Sequence, residues 1–201
     1  EISKTLLNYL EFYFTVISSY TYLAAPRVEE IVNKTGASIE FKPMDIMKVF
    51  VASGTTPPAK QPDIRKAYRT ADLARVAKMH GMRINLKPVF WPASQNLASG
   101  LIIAAQDAGL EVMPLTQAIL KAVWAEDKNI ADEETLLEIA KLCGLNGRDL
   151  LTQAKSKSIQ SAFDENTLKA SKKGVFGSPS FIVDEELFWG QDRLDYLEVA
   201  I

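Results

Sequence analysis

The sequence predicts an α/β fold in which a small sheet domain is interrupted by a long helical segment. Three observations lead there. The first 43 residues read strand, helix, strand; residues 63–155 carry only helical signals; and the end of the chain reads strand, strand, helix.

The run Phe12–Tyr13–Phe14–Thr15–Val16–Ile17 is rich in aromatic and β-branched residues and reads as a buried strand. Ser18 and Ser19 stop it and suit the cap of the helix that follows. That helix spans residues 20–34 and closes at Gly36, with Pro26 inside it removing a backbone donor and predicting a kink. Ser38–Ile39–Glu40–Phe41–Lys42–Pro43 alternates like a half-buried strand, so the opening is one βαβ unit with parallel strands. Gly54–Thr55–Thr56–Pro57–Pro58 is a turn-rich loop. Helices are expected at 63–80, 94–108, 114–126, 132–142 and 148–155, several with Ser or Asp starts and Gly stops. A further helix at 158–173 ends at Gly174. A turn then leads to a strand ending at Val183; Asp184–Glu185–Glu186 bends the chain, and Leu187–Phe188–Trp189 returns as a hairpin partner. Asp192 is expected to cap a closing helix at 193–200. This order is the thioredoxin arrangement with a large all-helical insertion. Residues 1–43 and 158–201 make the thioredoxin-like domain, and 44–157 the insertion.

Composition excludes several classes. A net charge of −2 gives no electrostatic reason to expect nucleic acid or an anionic membrane, and no apolar stretch reaches the length of a membrane span. Glu1–Ile2–Ser3–Lys4 lacks the basic-then-apolar pattern of a secretory signal. Cys143 is the one cysteine, so an internal disulfide is impossible; this fits a cytoplasmic protein, with Cys143 packing as a small hydrophobe near a helix end. His80 is the one histidine and sits beside Gly81 at a helix end. With one His and one Cys, neither a zinc cluster nor a Cys–His nucleophilic pair is expected. There is no P-loop and no Gly-x-Gly-x-x-Gly, so nucleotide cofactors have no support.

Chemistry concentrates in three segments. At the first strand-to-helix corner, Ser18 and Thr21 take the spacing that Cys-x-x-Cys holds in a redox protein. Hydroxyls cannot cycle through a disulfide, but they can donate a hydrogen bond to a sulfur supplied by a ligand. A free thiol has a pKa of about 8.5, and helix N-termini lower it, so such a corner favours a bound thiolate. The second segment is Ser178–Pro179. If Pro179 is cis, the Ser178 backbone is free to pair with a small extended peptide; the alternative is a trans proline opening an edge strand. In the third, Gly190–Gln191–Asp192–Arg193, backbone N–H groups suit a carboxylate and Asp192 suits an ammonium; alternatively Asp192 is an ordinary cap beside a surface Arg193. Trp91, Trp124 and Trp189 read as core.

Together these segments resemble the 2-hydroxychromene-2-carboxylate isomerase family, kin of kappa-class glutathione transferases and built on the fold of DsbA-type oxidoreductases. The resemblance runs from Phe12 to the final helix. It is carried by Phe12–Tyr13–Phe14 leading to Ser18 and then Tyr22–Leu23, by Gly174–Val175–Phe176–Gly177–Ser178–Pro179, and by Phe188–Trp189–Gly190–Gln191–Asp192–Arg193–Leu194. It implies glutathione as cofactor, with Ser18 the catalytic residue that hydrogen-bonds its sulfur. Ser178, before Pro179, is then the residue pairing with the cysteinyl part, and Gln191 and Asp192 bind the γ-glutamyl end. Ser19 and Tyr20 at the helix start, and Thr55 in the loop, complete the implied binding set. In the isomerases, glutathione is thought to add to a conjugated substrate, allow bond rotation and leave unchanged. A small aromatic or conjugated substrate and a homodimer are implied in the same way. Members usually carry Asp, Pro and Asn where this chain has Thr15, Ser19 and Thr55. Two other readings stay open: a kappa-like glutathione transferase that conjugates electrophiles, and a non-catalytic thioredoxin-fold peptide-binding protein.

Overall fold

Four strands make one mixed sheet in the computed structural model, which describes residues 8–201. They are Tyr9–Phe14 (β1), Ser38–Pro43 (β2), Ser180–Val183 (β3) and Glu186–Trp189 (β4), in the order β2–β1–β3–β4. β1 and β2 run parallel, while β3 is antiparallel to both β1 and β4. The signal pattern sought at residues 1–4 lies outside the described residues.

Strand alternation divides the two faces of the sheet. Phe12 sits opposite Phe41 on one side and Phe181 on the other. Its ring stacks on Phe14 at 4.6 Å and on Phe181 at 5.1 Å, and meets Phe41 edge-on at 5.7 Å. The opposite face carries polar groups that satisfy one another, as buried polar atoms must. The Tyr13 hydroxyl donates to Glu11 Oε2 at 2.7 Å, Lys173 reaches Glu11 Oε1, and Lys42 pairs with Glu40 at 2.8 Å.

Helix Ser19–Thr35 (α1) joins β1 to β2 and runs through Pro26 to Gly36, which takes the left-handed conformation that closes it. Between β2 and β3 come Ile46–Ser53 (α2), Asp63–Met79 (α3), Asn96–Asp107 (α4), Met113–Trp124 (α5), Glu133–Leu142 (α6), Gly147–Ala154 (α7) and Lys157–Lys172 (α8). Leu194–Ala200 (α9) closes the chain. α2 was not foreseen. Asp45 caps it by accepting from the Met47 and Lys48 N–H groups at 3.0 and 3.3 Å.

The outer edge of β2 is covered. Gln106 of α4 accepts from the Phe41 N–H at 2.8 Å and donates to the Phe41 carbonyl at 2.9 Å. Asn166 of α8 donates to the Pro43 carbonyl at 3.1 Å, and Pro43 has no N–H to expose.

Candidate active site

The chain leaves β1 through Thr15 and turns at Ser18, the N-cap of α1. Ser18 Oγ accepts from the Thr21 N–H at 3.1 Å and donates to the Ser178 carbonyl at 3.3 Å, across 160 positions of sequence. The Ser18 side chain is half-buried. A cap satisfies only some of the free donors at a helix start. Among the described residues, the N–H groups of Ser19 and Tyr20 have no partner. They therefore point the positive end of the helix dipole at this corner.

Ser178 is the hub. Its peptide bond to Pro179 is cis. Its hydroxyl accepts from the Thr15 N–H at 3.0 Å and shares a 2.7 Å hydrogen bond with Thr21 Oγ1. Both hydroxyls of the Ser-x-x-Thr pair thus meet one residue, Ser18 at its carbonyl and Thr21 at its side chain. Among the described residues the Ser178 N–H has no partner.

The walls of the corner come from distant helices and loops. The Thr15 hydroxyl donates to Gln95 Oε1 at 2.6 Å. Ser19 Oγ is buried and accepts from Arg69 Nη2 at 2.8 Å, and the Tyr20 hydroxyl donates to Asp72 Oδ2 at 2.7 Å. Burial, with the Asp72 contact, pushes the Tyr20 phenol well above its ordinary pKa and keeps it a neutral donor. The side chains of Ser19 and Tyr20 are therefore engaged with α3, and what they leave to the corner is backbone N–H. The residues that depart from the family pattern at Thr15 and Ser19 each have a dedicated partner, in Gln95 and Arg69.

The loop before α9 hangs on the same proline. The Gly190 N–H donates to the Pro179 carbonyl at 3.0 Å, and Gly190 has φ 105°, a conformation that favours glycine. Arg27 of α1 holds Gln191 twice, at its carbonyl (2.8 Å) and at Oε1 (2.7 Å), which leaves the Gln191 amide NH₂ as a donor. Asp192 is exposed, with Arg193 Nη1 at 3.8 Å from Oδ1. The cap expected of Asp192 does not form: α9 begins at Leu194 and its N-cap, Arg193, makes no side-chain capping bond. The turn through Gly190 delays the helix, with the Arg193 N–H at 3.5 Å from the Gly190 carbonyl.

Thr55 stands apart from this hydrogen-bonded group. Its hydroxyl pairs with Ser53 at 2.8 Å. It lines a cleft of about 320 Å³ with Ser171, Gly174, Val175 and Phe176, a cleft that Ser18, Ser178, Gln191 and Asp192 do not line. Trp189 lies against Gly177 so closely that a Cβ there would be 2.5 Å from the indole nitrogen. His80, the C-cap of α3, and Cys143, the C-cap of α6, take no part in these contacts. Burial pushes the Cys143 thiol up, away from reactivity. No group of three or more potential metal ligands occurs among the described residues, and no helix there is long and apolar enough to cross a membrane.

Sequence reasoning missed Arg27, Arg69 and Gln95, and read Trp91 and Trp124 only as core. Each acts through a partner at least 50 positions away, for which no local pattern exists.

Comparison with known proteins agrees with this architecture. Residues 9–201 match the DSBA-like thioredoxin domain. The chain is 30% identical over 190 residues to the 2-hydroxychromene-2-carboxylate isomerase of Sphingobium xenophagum, covering 94% of this chain and 95% of that one. It is 26% identical over 197 residues to the glutathione S-transferase kappa 1 of Caenorhabditis elegans, covering 92% and 86%. A solved structure of 2-hydroxychromene-2-carboxylate isomerase superposes with a TM-score of 0.77 at 26% identity, covering 96% of this chain and 93% of the other. A two-hydroxyl corner on this fold, with relatives matched along nearly their whole length, leads to one conclusion: the chain belongs to the DSBA-like thioredoxin domain family and, within it, to the 2-hydroxychromene-2-carboxylate isomerase family.

Proposed function

We propose that this chain is a glutathione-dependent isomerase of a conjugated aromatic-degradation intermediate, of the 2-hydroxychromene-2-carboxylate type, in which Ser18 stabilises the glutathione thiolate. The observation that carries the reading is the contact of Ser18 Oγ with the Ser178 carbonyl, flanked by unpartnered N–H groups of Ser19, Tyr20 and Ser178. When bound, glutathione supplies a thiolate that adds reversibly to a conjugated carbon, permits rotation about the former double bond and is released unchanged.

The residues present fit the tripeptide at three places. Ser178 offers a carbonyl and a free N–H to the cysteinyl backbone, in the manner of one added strand. Gln191, oriented by Arg27, offers its amide to the γ-glutamyl carboxylate, and exposed Asp192 offers its carboxylate to the ammonium. Ser18 has one proton to donate and now places it on the Ser178 carbonyl at the long distance of 3.3 Å. A cysteinyl N–H taking over that carbonyl releases the Ser18 hydroxyl to turn toward sulfur, while Oγ continues to accept from Thr21. Together with the Ser19 and Tyr20 amides, this lowers the thiol pKa from about 8.5 and enlarges the nucleophilic fraction at neutral pH.

Glutathione transfer to an electrophile is the second reading, favoured by the similarity to kappa-class transferases. The two separate by stoichiometry, since isomerisation returns glutathione and conjugation consumes it. The form proposed is a cytoplasmic homodimer, and light scattering reads its mass. The test of the main reading is the ultraviolet thiolate absorbance of glutathione titrated with protein at neutral pH. A band that grows with the native chain and disappears with Ser18→Ala is expected. No band, with no thermal shift on adding glutathione, overturns the reading.

A further inference from the structure

We infer that Arg69 is the residue that holds the carboxylate of the conjugated substrate, through the part of its guanidinium fork that Ser19 leaves open. This rests on the site proposed above. The position comes first. Arg69 Nη2 donates to Ser19 Oγ at 2.8 Å, on the residue that follows Ser18. Its guanidinium lies 5.6 Å from the Trp91 ring centroid, and the Trp91 indole N–H donates to the carbonyl of Ile17, the residue before Ser18. A second ring, Tyr20, lies 6.0 Å from it. The guanidinium is therefore anchored to the neighbours of Ser18 on both sides.

Charge balance comes second. Among the described residues no carboxylate pairs with Arg69. Asp72, which follows it by one turn on α3, accepts from the Tyr20 hydroxyl. The Arg69 guanidinium is partly desolvated, and burial is the main influence lowering its pKa. A cation taken partly out of water is stabilised by a close acid, and here one neutral hydroxyl is its sole hydrogen-bond acceptor among the described residues. The guanidinium has five N–H donors in a planar fork, so most of that fork remains for a ligand. A carboxylate matches the fork in two-point geometry, and the aromatic rings beside it suit a flat conjugated body.

Two probes with the same aryl enone body separate the carboxylate from the ring: benzylidenepyruvate, an anion, and benzylideneacetone, its neutral counterpart. Their binding is measured by calorimetry, alone and with S-methylglutathione filling the tripeptide site without a reactive thiol. The native chain is expected to prefer benzylidenepyruvate by tenfold or more. Arg69→Met removes the preference, and Arg69→Lys, which keeps charge but not the fork, retains part of it. S-methylglutathione binds Arg69→Met and native protein alike. The inference is overturned if the native chain shows no preference, or if the preference survives in Arg69→Met. It is also overturned if Arg69→Met weakens S-methylglutathione as much as benzylidenepyruvate, since the guanidinium then serves the tripeptide. An anion preference that follows Arg69 in a protein that does not bind S-methylglutathione upholds the inference and removes the glutathione reading instead.

Discussion

Trp91 and Trp124 share one acceptor: their indole N–H groups both donate to the Ile17 carbonyl, at 2.9 and 3.2 Å. Two donors occupy both lone pairs of a carbonyl placed just before the Ser18 corner, and the two rings pack at 5.6 Å. Aromatic residues that read as plain core in the sequence thus fix the backbone from which Ser18 is presented.

Because the donors are redundant, Trp91→Phe or Trp124→Phe leaves Ile17 with one partner, whereas the double variant leaves a buried carbonyl with none. An orphaned buried acceptor costs about 1–3 kcal/mol. The double variant is expected to lose more stability in urea than the two single variants added together, by about 1 kcal/mol. Simple additivity contradicts the shared role.

Arg27 positions Gln191 and, among the described residues, hydrogen-bonds no other side chain. Replacing it by Met is expected to weaken the glutathione binding proposed above about tenfold, equivalent to about 1.4 kcal/mol, by releasing the Gln191 amide. The thiolate fraction at saturating glutathione stays unchanged, because Ser18 is not touched. Calorimetry reads the first effect and ultraviolet absorbance the second; a fall in both would give Arg27 a wider role.

At Gly177, a methyl group would lie 2.5 Å from the Trp189 indole nitrogen, so the partly exposed ring must shift from its place beside Phe176. Gly177→Ala is expected to cost about 1–3 kcal/mol of stability, the usual range for overpacking. It should also impair the proposed glutathione binding, since Ser178 is the next residue. Unaltered melting and binding would show that Trp189 moves freely.

Acid sensitivity is expected from Glu11. Burial alone raises its carboxyl pKa, but hydrogen bonds from Lys173 and Tyr13, with the charges of Lys173 and Lys42, outweigh burial and hold it below the usual 4.5. The folded state thus binds this proton more weakly than the unfolded chain does. Its stabilising contribution is complete above pH 4.5 and is lost as the pH falls through the lower folded value. Glu11→Gln is expected to be less stable at neutral pH and to flatten the acid limb of the stability curve, read from urea midpoints between about pH 3 and pH 6.

What the sequence disclosed followed the range of the interactions concerned. An aromatic and β-branched run marked β1, although the strand lies at Tyr9–Phe14 and ends before Val16, period-two alternation marked β2, and glycines in the left-handed conformation closed helices where expected, as at Gly36. α2 escaped because Ile46–Ser53 is short and rich in Val and Phe, although Asp45 and Gly54 bracket it with ordinary start and stop residues. Asp192 resembled a cap by local pattern, yet the Gly190 hydrogen bond to Pro179, a tertiary contact, set where α9 begins. Ser18 and Ser178 were visible as segments of a known pattern. The partners that shape their surroundings were invisible, since Arg69, Gln95 and Arg27 meet them only through the folded chain.

Gln106 and Asn166 have a consequence for assembly. An open strand edge is an invitation to pair with another chain. On β2 the hydrogen-bonding positions of Phe41 and Pro43 are taken by two carboxamides, which act as a short artificial neighbour made of side chains. At these two positions the β2 margin is closed to an added strand. Variants that shorten Gln106 would reopen the Phe41 position of a border that the fold keeps shut there.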